Sequence, residues 1–460
     1  MGTMLSRRSF VRLGMATGGA LLLAACGQAP SPTPTSPQPP TIPATSTTPT
    51  APAAKPTPAP TGKIEITFST WGGGERLKIW RERVVGAFEQ KHPTITVNFI
   101  GQPTDYQAKL LTMIAGGTPP DVFRIEGENA KDMYHKKFTL ELDSYMRRDN
   151  FNPKEEIIPP YEGAMWQGKW MALPHGGGGN NLVFYNKNLF RQAGLPDPKP
   201  DWTWEEFLQI AKSLTKDTNN DGKPEQWGTE VASLFRWYYS WLWNNGGDEL
   251  DTEGKTCVLD QPPATEAIQW IADLRVKHKV APAPQDIPQG LGDIFLTGRI
   301  GMLFTGNWYE ATARQAKFEW GVTNQPKGPV TQMTFAKPNV AAISANTKYP
   351  DASWLLLRYL VSEENQRVEG ETGLNFPQHP KVLKDEKFLK PTDVPVDRTF
   401  YVPDLRIKTR GITFAPGYAK VLSIRLQELD PVMLGTKKAS EVTKDLAQKI
   451  NKILAEALQS

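Results

Sequence analysis

The chain has 460 residues, with 53 basic and 49 acidic side chains and a formal net charge of +4. Because one compact core rarely extends beyond about 300 residues, this length predicts two domains. Arg7, Arg8 and Arg12 lie near the start, and without them 50 basic residues face 49 acidic ones. A near-neutral chain argues against nucleic acid or an anionic lipid surface as the main partner.

The first 26 residues have the features of an export signal. Arg7-Arg8 precede an apolar segment over 13–25, which is too short to span a bilayer and ends in small residues. The paired arginines resemble the twin-arginine export signal, and the Leu-Ala-Ala-Cys that ends at Cys26 resembles a bacterial lipobox. We expect residues 1–26 to be a signal peptide and Cys26 to be lipidated. A cleaved, unlipidated secreted protein is the alternative.

Residues 27–62 consist almost entirely of Pro, Thr, Ser, Ala and Gln, with Lys55 as their single charge. Such a composition cannot bury enough apolar surface to offset the entropy of ordering, so a disordered linker is predicted. Its prolines favour an extended spacer of roughly 100 Å, which would hold the folded part off the membrane. The only cysteine besides Cys26 is Cys257, which we expect to be a small buried apolar residue.

From Lys63 onward, strand and helix patterns alternate. Residues 63–69 alternate charged and apolar side chains, 75–90 repeat apolar residues at helical spacing, and 94–100 return to a two-residue period. This is a β-α-β pattern, and a helix over 106–117 and a further strand follow it. The pattern predicts an α/β fold with a parallel or mixed sheet, and places any ligand at the carboxyl ends of the strands.

Four consecutive glycines, Gly176–Gly179, lie between strand patterns at 169–173 and 182–185. Glycine adopts backbone angles that are closed to other residues. The run is either a loose surface loop or a crossover between two lobes, where a hinge absorbs dihedral changes. We expect a crossover. The predicted N-lobe is 63–175 plus 304–344, and the predicted C-lobe is 176–303 plus 345–460.

In the second half of the chain, the spacing of apolar residues predicts mainly helices. Thr203 and Glu206 form a capping box signature. A strand over 300–304 ends at a glycine turn before Trp308, and an aromatic stretch occupies 235–243. Further helices are predicted over 188–194, 352–360, 364–372 and 439–458.

Six short segments match, in order, the motifs of one protein family. They lie at 88–97, 114–122, 168–174, 185–190, 203–207 and 298–308. In these segments the chain resembles the extracellular solute-binding lipoproteins of carbohydrate ABC transporters, a maltose-binding-protein-like family. The resemblance implies two α/β lobes of the type II periplasmic-binding-protein fold, joined by hinge strands, with the ligand enclosed between them.

A sugar presents hydroxyl edges and apolar faces, so its site needs aromatic rings and groups that pair with hydroxyls. Trp71, at a strand end, is either a core anchor or a stacking platform, whereas Trp308 matches a tryptophan of the family. Asp121 could equally cap a turn, and Asn244 could fold one. In 235–243 half of the rings must face the core. The candidate ligand contacts are Trp71, Gly73, Gln102, Tyr106, Asp121, Glu126, Trp237, Tyr238, Trp241, Asn244 and Trp308.

Residues 217–222, Asp-Thr-Asn-Asn-Asp-Gly, match the opening of a calcium loop. The twelfth position is Gly228 where a bidentate glutamate would be required, so a full calcium hand is excluded. Two interpretations of this segment remain. It is either a reduced calcium site with Asp217, Asn219, Asp221 and Glu225 as ligands, or an ordinary turn rich in Asp and Asn.

Signatures of an enzyme do not appear. The five histidines are scattered, there is no zinc motif, and Gly176–Gly179 lacks the Lys-Ser/Thr of a phosphate loop. We therefore expect a lipid-anchored, monomeric receptor, not an enzyme, that binds a sugar or oligosaccharide and delivers it to ABC permease subunits. The alternatives are a secreted glycosidase, whose two carboxylates could be far apart in sequence, a structural surface protein, and the same receptor fold for a glycerol phosphate ester or polyol.

Overall fold

A computed structural model describes residues 62–230, 238–283, 291–337, 339–412 and 414–459. The predicted signal peptide, the predicted linker up to residue 61 and Trp237 lie outside these residues.

Strands and helices alternate along much of the chain. The strands are β1 (Ile64–Trp71), β2 (Ile95–Gln102), β3 (Val122–Ile125), β4 (Met165–Trp166), β5 (Lys169–Trp170), β6 (Leu173–Pro174), β7 (Asn181–Asn186), β8 (Trp227–Thr229), β9 (Ile300–Gly306), β10 (Trp320–Thr323), β11 (Met333–Ala336), β12 (Val340–Ile343) and β13 (Lys408–Gly411).

A π-helical segment, Trp80–Val85, joins the first two helices. The helices are α1 (Gly74–Ile79), α2 (Gly86–Lys91), α3 (Tyr106–Ala115), α4 (Gly127–His135), α5 (Asp143–Arg148), α6 (Pro153–Glu156), α7 (Lys187–Gln192), α8 (Trp204–Leu214), α9 (Tyr239–Asn244), α10 (Pro262–Val276), α11 (Leu291–Leu296), α12 (Glu310–Ala313), α13 (Pro350–Val361), α14 (Glu363–Glu371), α15 (Pro380–Leu383), α16 (Glu386–Leu389), α17 (Tyr418–Met433) and α18 (Thr443–Gln459).

The first sheet has the strand order β2-β1-β3-β12-β6. β1 is parallel to β2 and β3, as the alternation predicts, and β12 runs antiparallel to β3 and β6. Ile66 and Phe68 of β1 are fully buried, because the two-residue period turns every second side chain to the helix-covered face. Trp80 and Trp354 join them in the same core.

The second sheet has the order β10-β7-β9-β8. β7 is antiparallel to both neighbours and is buried on both faces. Its odd residues, Val183 and Tyr185, enter one core, and its even residues, Leu182 and Phe184, enter another. At the start of α8, Glu206 N donates to Thr203 Oγ1 at 3.2 Å and Thr203 N donates to the Glu206 carboxylate at 2.8 Å, which confirms the capping box.

Within the described residues, the chain passes three times between the cores that cover the two sheets: at Gly176–Gly179, between β11 and β12, and between Leu374 and Phe376. The Gly176–Gly179 segment joins β6 of the first sheet to β7 of the second, so the crossover prediction is confirmed. The crossings are hydrogen-bonded side by side: His175 N donates to Asn339 O at 3.0 Å, and Gly178 N donates to Lys337 O at 2.9 Å. A Cβ at Gly177 would lie 2.3 Å from Lys337 O, so only glycine fits there.

The segments that form each lobe differ from the predicted bounds. In 304–344, β10 belongs to the second sheet and only β12 to the first. α13, which the prediction gave to the C-lobe, packs Trp354 into the core of the first sheet. Hydrophobic periodicity identifies a strand but not the sheet that it joins, which explains the difference. We propose 63–175 plus 340–374 as the N-lobe and 176–336 plus 375–460 as the C-lobe.

Candidate ligand site between the lobes

The carboxyl ends of the parallel strands bring several predicted contacts to one edge of the N-lobe. Trp71 and Gln102 end β1 and β2 and are direct partners in the strand register. Gly73 is exposed just before α1, and Glu126 follows β3 at the start of α4. In an open α/β sheet this edge is where ligands bind.

The ring of Trp71 is half-buried at this edge and lies against a cation. Arg124 Cζ is 3.9 Å from the centroid of the Trp71 ring, and the Tyr106 ring is 5.3 Å away. Tyr106 is buried, its hydroxyl lies 2.7 Å from Arg124 O, and burial raises its pKa. Tyr106 therefore supports the Trp71 ring from within the lobe, which departs from the predicted ligand contact.

Trp308 reaches the same junction from the C-lobe. It follows β9 in a 3-10 turn, and its half-buried ring lies over Gly306, where an added Cβ would be 1.9 Å from the ring. Arg76 of α1 donates from Nη1 to Trp308 O at 3.1 Å. A Cβ at Gly72, next to Trp71, would also lie 3.5 Å from the Arg76 side chain. Arg76 thus connects the segments that carry the two predicted stacking tryptophans.

Asp121 lies at the other end of β3, away from this edge. Its Oδ2 accepts from Thr67 N at 2.8 Å, and its Oδ1 accepts from Thr347 Oγ1 at 2.5 Å. Both oxygens are used inside the N-lobe, so Asp121 ties the turn together and the ligand-contact prediction is wrong for it.

Tyr238, Trp241 and Asn244 are also core residues. Trp241 stacks on Trp270 with ring centroids 4.9 Å apart, and the Tyr238 hydroxyl donates to Glu249 at 2.7 Å. The Asn244 amide donates to Met333 O at 3.2 Å and accepts from Met333 N at 2.8 Å. Every residue of α9 is buried, so the predicted cleft face of this aromatic stretch does not exist within the described residues.

A polar network at the crossings was missed by the sequence prediction. Arg124 is fully buried; its guanidinium donates to Thr70 Oγ1 at 3.2 Å and to Asn375 Oδ1 at 3.4 Å. Arg76 Nη2 donates to the same Asn375 oxygen at 3.4 Å. His175 Nε2 lies 2.9 Å from Glu369, and both are fully buried. One signal was available: Arg124 interrupts the otherwise apolar strand Val-Phe-Arg-Ile.

Burial and charge set the protonation of this network. Burial lowers the pKa of Arg124 and of Arg76 to about 10, so both remain cations at neutral pH. Burial alone would raise the pKa of Glu369, but His175, Arg124 and the Asn375 amide outweigh it and hold that pKa below its usual value. The network therefore keeps two guanidinium groups and one carboxylate charged at the junction.

A second charged group lies at the crossing that leads to β12. Lys337 Nζ is 2.8 Å from Glu128 and 3.7 Å from Glu126. Lys337 and Glu128 are buried, whereas Glu126 is half-buried. Glu126 therefore presents a carboxylate at the sheet edge with a lysine behind it.

The predicted calcium loop lies on the C-lobe surface. Carboxylate oxygens of Asp217, Asp221 and Glu225 come within 4.8 Å of one another, a spacing that could hold a metal ion. Asn219 uses its amide to donate to Glu225 at 2.8 Å and accepts from Asp221 N at 2.8 Å, as in an ordinary Asx turn. Calcium binding stays a prediction.

Two further observations concern the rest of the chain. Cys257 is buried, as predicted, and burial raises the pKa of its thiol to about 12. Among the residues that the structure describes, no helix combines the length and apolar character that a bilayer crossing requires.

Comparison with known proteins identifies the family. Residues 71–367 match the family model of bacterial extracellular solute-binding proteins. A binding protein of Brucella abortus (strain 2308) is 25% identical over 403 residues, which cover 86% of this chain and 94% of that protein. The diacetylchitobiose-binding protein DasA of Streptomyces coelicolor is 24% identical over 242 residues, 51% of this chain and 53% of that one.

Solved structures share the fold. An ABC substrate-binding protein of Listeria monocytogenes in complex with cycloalternan matches with a TM-score of 0.76 and 26% identity, covering 85% of this chain and 99% of that one. Maltose-bound MalE3 of T. maritima matches with a TM-score of 0.71 and 22% identity, covering 85% and 100%. The chain belongs to the bacterial extracellular solute-binding proteins and has their two-lobed type II periplasmic-binding-protein fold.

Proposed function

We propose that this protein is the extracytoplasmic receptor of an ABC importer and binds a sugar or oligosaccharide between its lobes. The observation that carries the proposal is the junction at Arg76, where the chain next to Trp71 and the backbone of Trp308 meet. Each tryptophan ring is half-buried. A sugar held there would have an aromatic ring from each lobe.

The surrounding side chains suit the same ligand. Gln102 and Glu126 offer an amide and a carboxylate at the sheet edge, and such groups pair with hydroxyls. Relatives support a carbohydrate: their names specify diacetylchitobiose and lactose, and the solved structures contain cycloalternan and maltose.

The family and the N-terminal motifs support a proposal for delivery and anchoring. A receptor of this class would release its sugar to permease subunits in the membrane. Lipidated Cys26 and the proline-rich linker at 27–62 would hold a monomeric receptor close to them, with a reach of roughly 100 Å.

A thermal-shift screen over mono- and oligosaccharides tests the proposal. A ligand present at 100 times its dissociation constant stabilises the folded state by about 2.7 kcal/mol, so the true ligand should raise the melting temperature clearly. The ligand recovered afterwards should be intact. A panel in which every sugar leaves the melting temperature unchanged, or a hit that is hydrolysed, would contradict the proposal.

A further inference from the structure

Two arginines at the junction of the lobes have no ion pair among the described residues. Arg76 and Arg124 share one neutral acceptor, Asn375 Oδ1, at 3.4 Å each. Their other acceptors are neutral too: Trp308 O for Arg76, and Thr70 Oγ1 and His175 O for Arg124. The two positive charges are therefore close together and compensated only at a distance.

Glu369, the carboxylate that acts on both arginines, is bonded by other groups. Glu369 accepts from His175, from the Asn375 amide at 3.0 Å and from the Asn365 amide at 2.6 Å. Glu369 acts on both arginines, and Glu126 acts on Arg124, through space alone, since neither carboxylate is bonded to a guanidinium group. A buried charge without a partner destabilises a fold. Two neighbouring guanidinium groups whose printed acceptors are all neutral therefore indicate a site for an anion that bonds to them directly.

The arginines also retain unused donors. A guanidinium has five N–H donors, and Arg76 uses one on each of its two terminal nitrogens. Arg124 Nε is buried and has no acceptor. The rings of Trp71 and Trp80, 3.9 and 5.3 Å from Arg124 Cζ, offset part of the cost of burial but leave the charge in place. The planar donor fork of arginine matches the oxygens of a carboxylate or phosphate.

We propose that the bound sugar carries an oxyanion, either a carboxylate or a phosphate, that Arg76 binds it beside the Trp71 ring, and that Arg124 strengthens this binding through its charge. The inference rests on the proposed function, since it places the charged substituent of the ligand in the same site between the lobes. Arg76 is half-buried and lies nearer to solvent, while Arg124 adds positive potential from behind the ring.

The competing explanation is that the arginines only fasten the hinge. Replacing each arginine with methionine distinguishes the fastening role from the anion site. A fastening role predicts lower stability with no change in ligand preference. An anion site predicts a loss of affinity for acidic ligands and not for neutral ones, whatever the change in stability of the unliganded protein.

Titration calorimetry on the mature full chain tests the proposal. The probes are oligogalacturonides, matched neutral galacto-oligosaccharides, glucose 6-phosphate and sn-glycerol 3-phosphate, at low and high salt. We expect an acidic probe to bind, and its affinity to fall about 30-fold or more in Arg76→Met and in Arg124→Met. Arg76→Lys should lose less, because it keeps the charge. Arg358→Met is the matched control: Arg358 packs on Phe151, 4.3 Å from its ring, and its loss should leave affinity unchanged.

The outcomes separate this inference from the proposed function. The carboxylate and phosphate arms tell which oxyanion is bound. Should Arg124→Met fail to fold, the half-buried Arg76→Met still decides the matter. A neutral galacto-oligosaccharide that binds alone, or an acidic probe whose affinity neither variant changes, overturns the oxyanion site and leaves sugar binding intact. A panel in which neither acidic nor neutral sugars bind contradicts the proposed function itself.

Discussion

Two tryptophans that the sequence offers as ligand contacts have different roles because their partners differ. Trp241 is 1% exposed and stacks within a cluster of rings. Trp308 is half-buried, lies over Gly306 and has its carbonyl bonded by the opposite lobe. Contact with the other lobe, more than aromatic character, marks a residue of the candidate site.

Replacing Trp308 with alanine should mainly reduce affinity. Removal of a desolvated aromatic contact often costs about 2 kcal/mol or more, roughly 30-fold in the dissociation constant. Calorimetric titration and the unliganded melting temperature should be measured together. Trp241→Phe is the control and should change stability but not affinity. A core role for Trp308 would appear as a loss of about 3–5 kcal/mol in unfolding free energy without ligand.

Glu369 should make stability depend on pH. Its pKa is lowered in the folded state, so its contribution is present above the unfolded pKa of about 4.3 and is lost as pH falls below that value. Glu369→Gln leaves buried His175 and Arg124 without this charge, and should cost about 3–5 kcal/mol at pH 7. It should also flatten the acid limb of a plot of stability against pH.

Urea unfolding across pH 3–8 measures both effects. The control is Glu364→Gln, because Glu364 forms an exposed ion pair with Lys91, and such pairs contribute only about 0–1 kcal/mol. Equal stability and the same pH profile for Glu369→Gln and the parent would contradict the role given to this network.

The three segments in which the chain passes between the lobes pack against one another. The buried glycines let 175–180 run against Lys337 and Asn339, and the side chains of Glu369 and Gln378 bond to His175 and Gly177 of the first segment. The crossings are therefore in close backbone contact, and this contact requires glycine because an added side chain at Gly177 would collide with Lys337 O.

Gly177→Ala should test this contact. Its Cβ would lie 2.3 Å from Lys337 O and 2.5 Å from Asn339 N, both backbone atoms, so the crossings must move apart. We expect a loss of about 1–3 kcal/mol in unfolding free energy. Gly73→Ala is the matched control for stability, because nothing lies within 4 Å of its added Cβ. A Gly177→Ala protein with unchanged unfolding would show that the crossings are loose.

The sequence predicts local structure better than assembly. The periodicity of 63–100 and the capping signal at Thr203 predict elements that the structure contains. Periodicity carries no information on which sheet β10 joins, so the lobe bounds were misplaced. It also cannot show that Asp121 precedes its strand at the distant edge, or that Trp241 meets Trp270. These facts depend on contacts between distant segments.

The N-terminal motifs predict where the protein is located: an export signal at Arg7-Arg8 and a lipid anchor at Cys26. Cys26→Ser should release the protein from the membrane fraction, because the lipid acceptor is gone. Replacing Arg7-Arg8 with Lys-Lys should block export. Immunoblots of membrane, extracytoplasmic and cytoplasmic fractions measure both, with Cys257→Ser as the control cysteine change. A Cys26→Ser protein that still sediments with membranes would exclude lipid anchoring at Cys26.

Small-angle X-ray scattering should show whether the two lobes capture a sugar between them. The sugar found in the thermal-shift screen should reduce the radius of gyration of the mature protein, because ligand-bound lobes close around it. A sugar that gives no thermal shift should leave the curve unchanged. We expect compaction, with the sugar recovered intact. Identical scattering curves with and without a saturating ligand, or a sugar that the protein cleaves, would contradict this expectation.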